Sequence, residues 1–269
     1  PISVAQEGQV WYNSSSKVLK GFGKQGTLSW SSGGVLNTAR RQLEAAGSGS
    51  TSAIAFSGRT SGPTATTVSE TYDGTTWTEG NNVLTARGYL AGCGTTTAGL
   101  AIGGYDGARL EIVEEYDGTS WSEVGDLSTA DDNSLMAAVQ GTPSAALAFG
   151  GYPSPTTRTE SYNGSTWTEV NDLNQGRSNG QGSGTATAAL AIGGAPPNAG
   201  LANVEVWDGT SWTESSYDLG SGRYYGAAAG SSTNALGMGG YNIATAPAYA
   251  LDTSEELAGA SVIKTFTAS

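Results

Sequence analysis

The chain has no histidine and a single cysteine among its 269 residues. Without histidine there is no imidazole general base, no histidine-based catalytic triad and no ordinary transition-metal ligand set. A lone thiol cannot form an internal disulfide. Catalysis would have to rest on carboxylates, tyrosine, arginine or lysine. Basic residues are also scarce. The formal net charge is −12, and the four lysines (Lys17, Lys20, Lys24, Lys264) lie near the ends. Clustered cationic side chains, the electrostatic footprint of a nucleic-acid binder, are missing. No stretch of 18 apolar residues occurs, so no membrane-spanning helix is expected. No basic-then-apolar leader opens the chain either, and the first residue is Pro1, as in a processed form or a fragment of something longer.

What is present is repetition. Tyr72-Asp-Gly-Thr-Thr-Trp77 returns as Tyr116–Trp121, Tyr162–Trp167 and Trp207–Trp212, the closing tryptophans being 44, 46 and 45 residues apart. Trp30 stands 47 residues before Trp77. A glycine-rich period near 45 residues marks the blades of a β-propeller, and blades cannot bury their faces separately, so a single domain is expected. Each repeat reads as four short strands. Adjacent Asp-Gly or Asn-Gly suggests a two-residue type I′ hairpin between the third and fourth, which would pair Tyr72 with Thr75 and Glu70 with Trp77. The second strand has one bulky face, as in Leu100/Ile102, and one nearly bare face, as in Gly99/Ala101. Such faces suit stacked blades, the bulky side of one nesting into the bare side of the next.

An arginine, a first strand, an apolar strand ending in Gly-Gly, Glu-x-Tyr-Asp and a tryptophan follow one another in this order. The pattern resembles the Kelch repeat from about Gly33 to Leu257. The glycine pairs are Gly103-Gly104, Gly150-Gly151, Gly193-Gly194 and Gly239-Gly240, with Ser57-Gly58 in the first copy. The resemblance implies an all-β, five-bladed propeller of four-stranded antiparallel blades, closed by terminal strands. Residues 1–34 would supply N-terminal strands, residues 35–257 the repeats, and residues 258–269 a last strand or exit segment. Two closures are compatible with the sequence. In the one the signature at Trp30 favours, Val10–Asn13 pairs with Leu28–Trp30 and completes the last blade. In the other, Ser254–Leu257 pairs with Val262–Thr267.

Tandem Trp-[Thr/Ser]-Glu-x-x-[Asp/Asn]-Leu units, with Leu36-Asn-Thr-Ala-Arg40, are similar to Kelch-like proteins of marine bacteriophages. The segment Glu7–Gly21 resembles one found in phage tail and virion proteins. These resemblances imply a virion-located structural protein, a tail fibre or head appendage. Its partners would be other virion chains and host-surface glycan, with no cofactor, metal or catalytic residue; a homo-oligomer is compatible with this. A purely architectural decoration protein is the alternative reading, and a carboxylate-based glycan hydrolase a weaker one. The Asp-Gly-x-x-Trp turn is also similar to the sialidase Asp-box, although the aspartate and glycine are adjacent here.

Two sets of positions could carry recognition. Arg40, Arg87, Asp131, Arg177 and Arg223 precede the first strand of successive repeats and should form a ring near the axis. The ring reads either as a shallow anion or sugar site, with Asp131 as an acidic notch, or as internal bonding to carbonyls and glutamates. The loops Arg59–Thr66, Tyr105–Leu110, Tyr152–Arg158, Ala195–Leu201 and Tyr241–Pro247 vary on a constant frame, where recognition commonly sits. Cys93 falls in a small-residue slot and reads as buried.

Overall fold

A computed structural model describes residues 10–13, 18–21, 33–130, 136–137, 142–152, 156–195, 200–242, 249–251 and 254–258. It has two units: residues 1–32 with 260–269, and residues 33–259. In the first, β1 (Val10–Asn13) and β2 (Val18–Gly21) form an antiparallel hairpin, Val10 opposite Gly21. Of the two expected terminal pairings, the partners Leu28–Trp30 and Val262–Thr267 lie outside the described residues.

The second unit is a five-bladed β-propeller with no helix among the described residues. Blade 1 is β3 (Glu44–Gly49), β4 (Ser52–Phe56), β5 (Ser69–Tyr72) and β6 (Trp77–Glu79). Blade 2 is β7 (Ala91–Thr95), β8 (Ala98–Ile102), β9 (Val113–Tyr116) and β10 (Trp121–Glu123). Blade 3 is β11 (Met136–Ala137), β12 (Ala146–Phe149), β13 (Thr159–Tyr162) and β14 (Trp167–Glu169). Blade 4 is β15 (Gln181–Thr185), β16 (Ala188–Ile192), β17 (Val204–Trp207) and β18 (Trp212–Glu214). Blade 5 has β19 (Ala227–Ser231), β20 (Asn234–Met238) and β23 (Ser254–Ala258), with the short hairpin β21 (Tyr241–Asn242) and β22 (Tyr249–Ala250) between its last two strands. Every blade is an antiparallel meander.

The core is the nesting that the strand composition suggests. Ile54 and Phe56 of blade 1 pack with Ala101 of blade 2. Leu100 and Ile102 pack with Ala146 and Ala148. Leu147 and Phe149 pack with Ala189 and Ala191, and Leu190 and Ile192 with Ala235. From blade 1 to blade 5 the bulky face of one blade meets the bare face of the next, so the layers interdigitate. Tryptophans seal the outer part of these interfaces: Trp121 lies 4.9 Å from Phe56 and Trp212 4.8 Å from Phe149, ring centre to ring centre.

The hairpin between third and fourth strands differs from the expected one. Tyr72 is opposite Trp77 and Glu70 opposite Glu79, so the loop has four residues, Asp73–Thr76. The reason is the aspartate side chain. Asp73 Oδ1 accepts the amides of Thr75 and Thr76, both at 2.8 Å, holding the loop open beyond two residues. Asp117, Asn163 and Asp208 repeat the arrangement. Only the glycine needs a positive φ, +96° at Gly74, and Tyr72 and Trp77 still stack at 5.0 Å.

Candidate functional site

The two ends of each blade are built for different purposes. At one end lie the Asp-Gly hairpins. At the other, the second strand stops at the glycine pair, the variable loop leaves, and the connection from the preceding blade arrives. Both glycines of the pair have positive φ, 58° and 113° at Gly103 and Gly104. Ser57 takes the first of these positions at 59°, held by its hydroxyl on the Arg87 carbonyl at 2.6 Å.

The arginines expected to ring the axis lie within this end, beneath its surface. Arg87, Arg177 and Arg223 are fully buried, and the Arg40 side chain is buried as well. Each ion-pairs with a glutamate on the third strand of its own blade: Arg40 with Glu70 at 2.8 Å, Arg177 with Glu205 at 2.6 Å, Arg87 with Glu114 and Arg223 with Glu255. Arg177 also donates to the Gly193 and Asn203 carbonyls at 2.8 and 3.1 Å. Burial lowers the Arg177 guanidinium below its ordinary pKa against the pull of Glu205. Asp131 lies outside the described residues.

The glutamates clamp the incoming connection. Glu114 accepts Leu84 N at 2.6 Å and Thr85 N at 3.1 Å, in the segment that leads out of blade 1. Glu205 accepts Asn174 N and Nδ2 and Gln175 N. Glu160, in the blade of Asp131, accepts Ser128 N at 2.9 Å. Burial disfavours the Glu70 carboxylate, yet bonds from Asn37 and Thr38 and the Arg40 charge hold its pKa below the usual range. The arrangement ties each blade to the chain arriving from the last.

Two residues beyond each arginine the backbone is left-handed in a residue other than glycine: Gln42 (55°), Tyr89 (58°), Asn179 (54°) and Tyr225 (57°). Tyr89 N donates to Gln42 O at 3.1 Å and Tyr225 N to Asn179 O at 2.8 Å, so the strained residues link one blade to the next. Non-glycine residues hold this conformation only where surroundings impose it.

Tyrosines and a second set of arginines gather at this end. Tyr105, Tyr152 and Tyr241 directly follow glycine pairs, as Arg59 follows Gly58. The Arg59 guanidinium carbon is 5.4 Å from the ring centres of both Tyr89 and Tyr105, and that of Arg109 is 5.3 Å from Tyr152. A cation from one blade thus stacks on a tyrosine of the next. Tyr224 lies 5.1 Å from Tyr225 and 6.1 Å from Tyr241. Burial, then the neighbouring Tyr89, Tyr224 and Tyr152, raise the Tyr225 pKa, so its hydroxyl stays protonated as a donor. Tyr225 thus lies within electrostatic reach of Tyr89 of blade 2 and Tyr152 of blade 3. Tyr152, Tyr225 and Tyr241 remain exposed, Tyr225 by 60%.

Among the described residues, this end is therefore an aromatic platform with guanidinium and phenol donors. Among the described residues no group of three His, Cys, Asp or Glu could hold a metal. Sequence reasoning identified the loops that bring Arg59, Tyr105, Arg109, Tyr152 and Tyr241, but it missed Tyr89 and Tyr225. Their one signal was a tyrosine two residues beyond a repeated arginine. No family model matches the chain, and no curated protein matches it.

Proposed function

We propose that this protein is a Kelch-like recognition module on a bacteriophage virion, and that it reads host-surface glycan without catalysis through the tyrosine–arginine face of the propeller. The observation that carries the reading is the set of exposed tyrosines Tyr152, Tyr225 and Tyr241 on the loop-bearing end, with Arg59 and Arg109 stacked on neighbouring rings. Aromatic faces cover the C–H faces of sugar rings, while guanidinium and phenol groups hydrogen-bond to hydroxyls or carboxylates at their edges. A shallow platform gives weak single-site binding, which display of many copies converts to avidity. Net charge −12 keeps the module off anionic surfaces in general and leaves discrimination to the local arginines.

A second reading, an architectural protein whose contacts are other virion chains, is favoured by the same chemistry, since tyrosine and arginine are enriched at protein interfaces. A glycan array probed with a multimerised form separates the two. Recognition predicts binding to a defined set of glycans, lost in Tyr152→Ala/Tyr225→Ala. The architectural reading predicts a blank array and particles that adsorb normally to host cells once stripped of this protein. The buried arginines are unsuitable for this test, because their loss would loosen the blades and not report on the surface.

A further inference from the structure

The chain has eight arginines, in two sets of four. Arg40, Arg87, Arg177 and Arg223 are spent inside the blades on the clamp glutamates. The other four, Arg41, Arg59, Arg109 and Arg158, all lie at the end that bears the variable loops. Arg41 and Arg59 face each other in an isolated β-bridge, Arg109 forms another with Tyr105, and the Arg158 carbonyl accepts Gly150 N of a glycine pair. They belong to blades 1, 2 and 3. Blades 4 and 5 supply no arginine beyond their clamps, and at this end they hold Tyr224, Tyr225 and Tyr241, ring beside ring. Four guanidinium groups outside the clamps, on one side of one end, are a local exception in a chain of net charge −12.

Arg59 is the most completely built into its place. It stands directly after the first glycine pair, where later blades have Tyr105, Tyr152, Ala195 and Tyr241. From blade 1 its guanidinium reaches across to blade 2, 5.4 Å from the ring centres of both Tyr89 and Tyr105. Blade 2 makes room for it with Gly88. A Cβ there would sit 3.1 Å from Arg59 Cγ and Nε, and blades 1, 4 and 5 carry Arg41, Ser178 and Tyr224 at the same position. Packing on rings therefore holds Arg59, and no counter-ion does. Among the described residues neither Arg41 nor Arg59 meets a carboxylate. Arg41 Nη2 donates to Gly62 O at 3.3 Å and Arg59 Nη2 to Tyr105 O at 3.5 Å, while Arg59 Nε is buried without an acceptor. Asp106, in the adjoining loop, is turned onto its own backbone and accepts Ala108 N at 3.0 Å. A guanidinium already fixed in position, with donors unspent, loses little freedom when an anion arrives. Its planar fork matches a carboxylate through two parallel N–H bonds.

Resting on the glycan reading above, we infer that the ligand is an acidic glycan of the hexuronate class, and that one of its carboxylates docks on Arg59, the residue that selects charged over neutral sugar. Arg41, Arg109 and Arg158 add positive potential on the same side. The stacked tyrosines of blades 4 and 5 offer aromatic faces to uncharged parts of the chain. A sulfate ester would feel the same potential, and the test separates the two anions.

The full chain, multimerised, is applied to oligogalacturonate, oligoalginate and hyaluronate, each beside its carboxyl-reduced counterpart, with a sulfated galactan and dextran alongside. The expected result is binding to a carboxylated glycan that falls about 10- to 100-fold on carboxyl reduction. Arg59→Gln should lose the same factor on the charged glycan and nothing on the reduced one, with partial recovery in Arg59→Lys and an unchanged melting midpoint. Equal binding of charged and reduced forms would overturn the inference and leave the glycan reading standing. So would binding to the sulfated galactan alone, or an Arg59→Gln variant that binds as wild type does. A blank array would end both. A second readout needs no variant: the Nε–H resonance of Arg59 in the labelled full chain should shift with sodium galacturonate and stay in place with galactose. An equal response to both sugars, or none to either, would overturn the assignment of Arg59.

Discussion

Truncating Glu205 should be among the costliest single side-chain losses at the connections between blades. Its carboxylate accepts Asn174 N at 2.7 Å, Asn174 Nδ2 at 2.9 Å, Gln175 N at 3.2 Å and Arg177 Nη2 at 2.6 Å. Glu205→Ala leaves all four donors without that acceptor and leaves the Arg177 charge fully buried. Removing one partner of a buried ion pair costs about 3–5 kcal/mol, because the remaining charge is uncompensated. For a chain of this size about 1 kcal/mol moves the melting midpoint by roughly 2–4 °C, so a fall of roughly 6–20 °C is expected. Glu205→Gln keeps one carbonyl acceptor and should fall between. Glu169→Ala, an exposed glutamate on β14, is the control and should stay within about 0.5 kcal/mol of wild type. Calorimetry at neutral pH reads all three. If Glu205→Ala melts with the control, the clamp does not hold the blades together and the argument fails.

Ala101 is fully buried against Phe56 and Trp121, so Ala101→Leu should overpack the interface and lose about 1–3 kcal/mol in chemical denaturation; a harmless substitution would contradict the nesting. Burial pushes the Glu44 carboxyl up to about 7 from 4.5, against the bond it accepts from Ala45 N. The folded state then holds a proton that the unfolded chain has released, so this contribution to stability is full below about pH 4.5 and is lost as pH rises toward 7. Glu44→Gln should remove that slope, and an unaltered stability–pH curve would show the group to be solvated. Glu70 has the opposite sign: its lowered pKa makes its contribution present at neutral pH and lost on acidification. Burial raises the Cys93 thiol to about 12, so a thiol reagent at pH 8 should label it only after unfolding; rapid labelling of native protein would place it at an open interface.

Much of this was legible because a repeat is a self-alignment. The glycine pairs located the ends of the second strands, and the alternation Leu100-Ala101-Ile102 located both blade faces. Side-chain geometry was less legible. Asp-Gly adjacency resembles a two-residue turn, but a carboxylate two residues before a free amide competes for that amide and lengthens the loop. The arginines and the glutamates were each regular in the sequence, and internal bonding was one reading of the arginines. What spacing could not show is that one blade's glutamate also grips the chain arriving from another. The tyrosine platform was the least visible part, since Tyr89 and Tyr225 are aligned with Gln42 and Asn179, and only the left-handed backbone unites the four.

The recognition face is tested most directly by titrating the isotopically labelled chain with a glycan identified on the array and following tyrosine ring and arginine side-chain resonances. Recognition by the tyrosine–arginine face predicts shifts confined to Tyr89, Tyr105, Tyr152, Tyr225, Tyr241, Arg59 and Arg109. Shifts confined to the Asp-Gly hairpins at the opposite end, or none at saturating glycan, would contradict it.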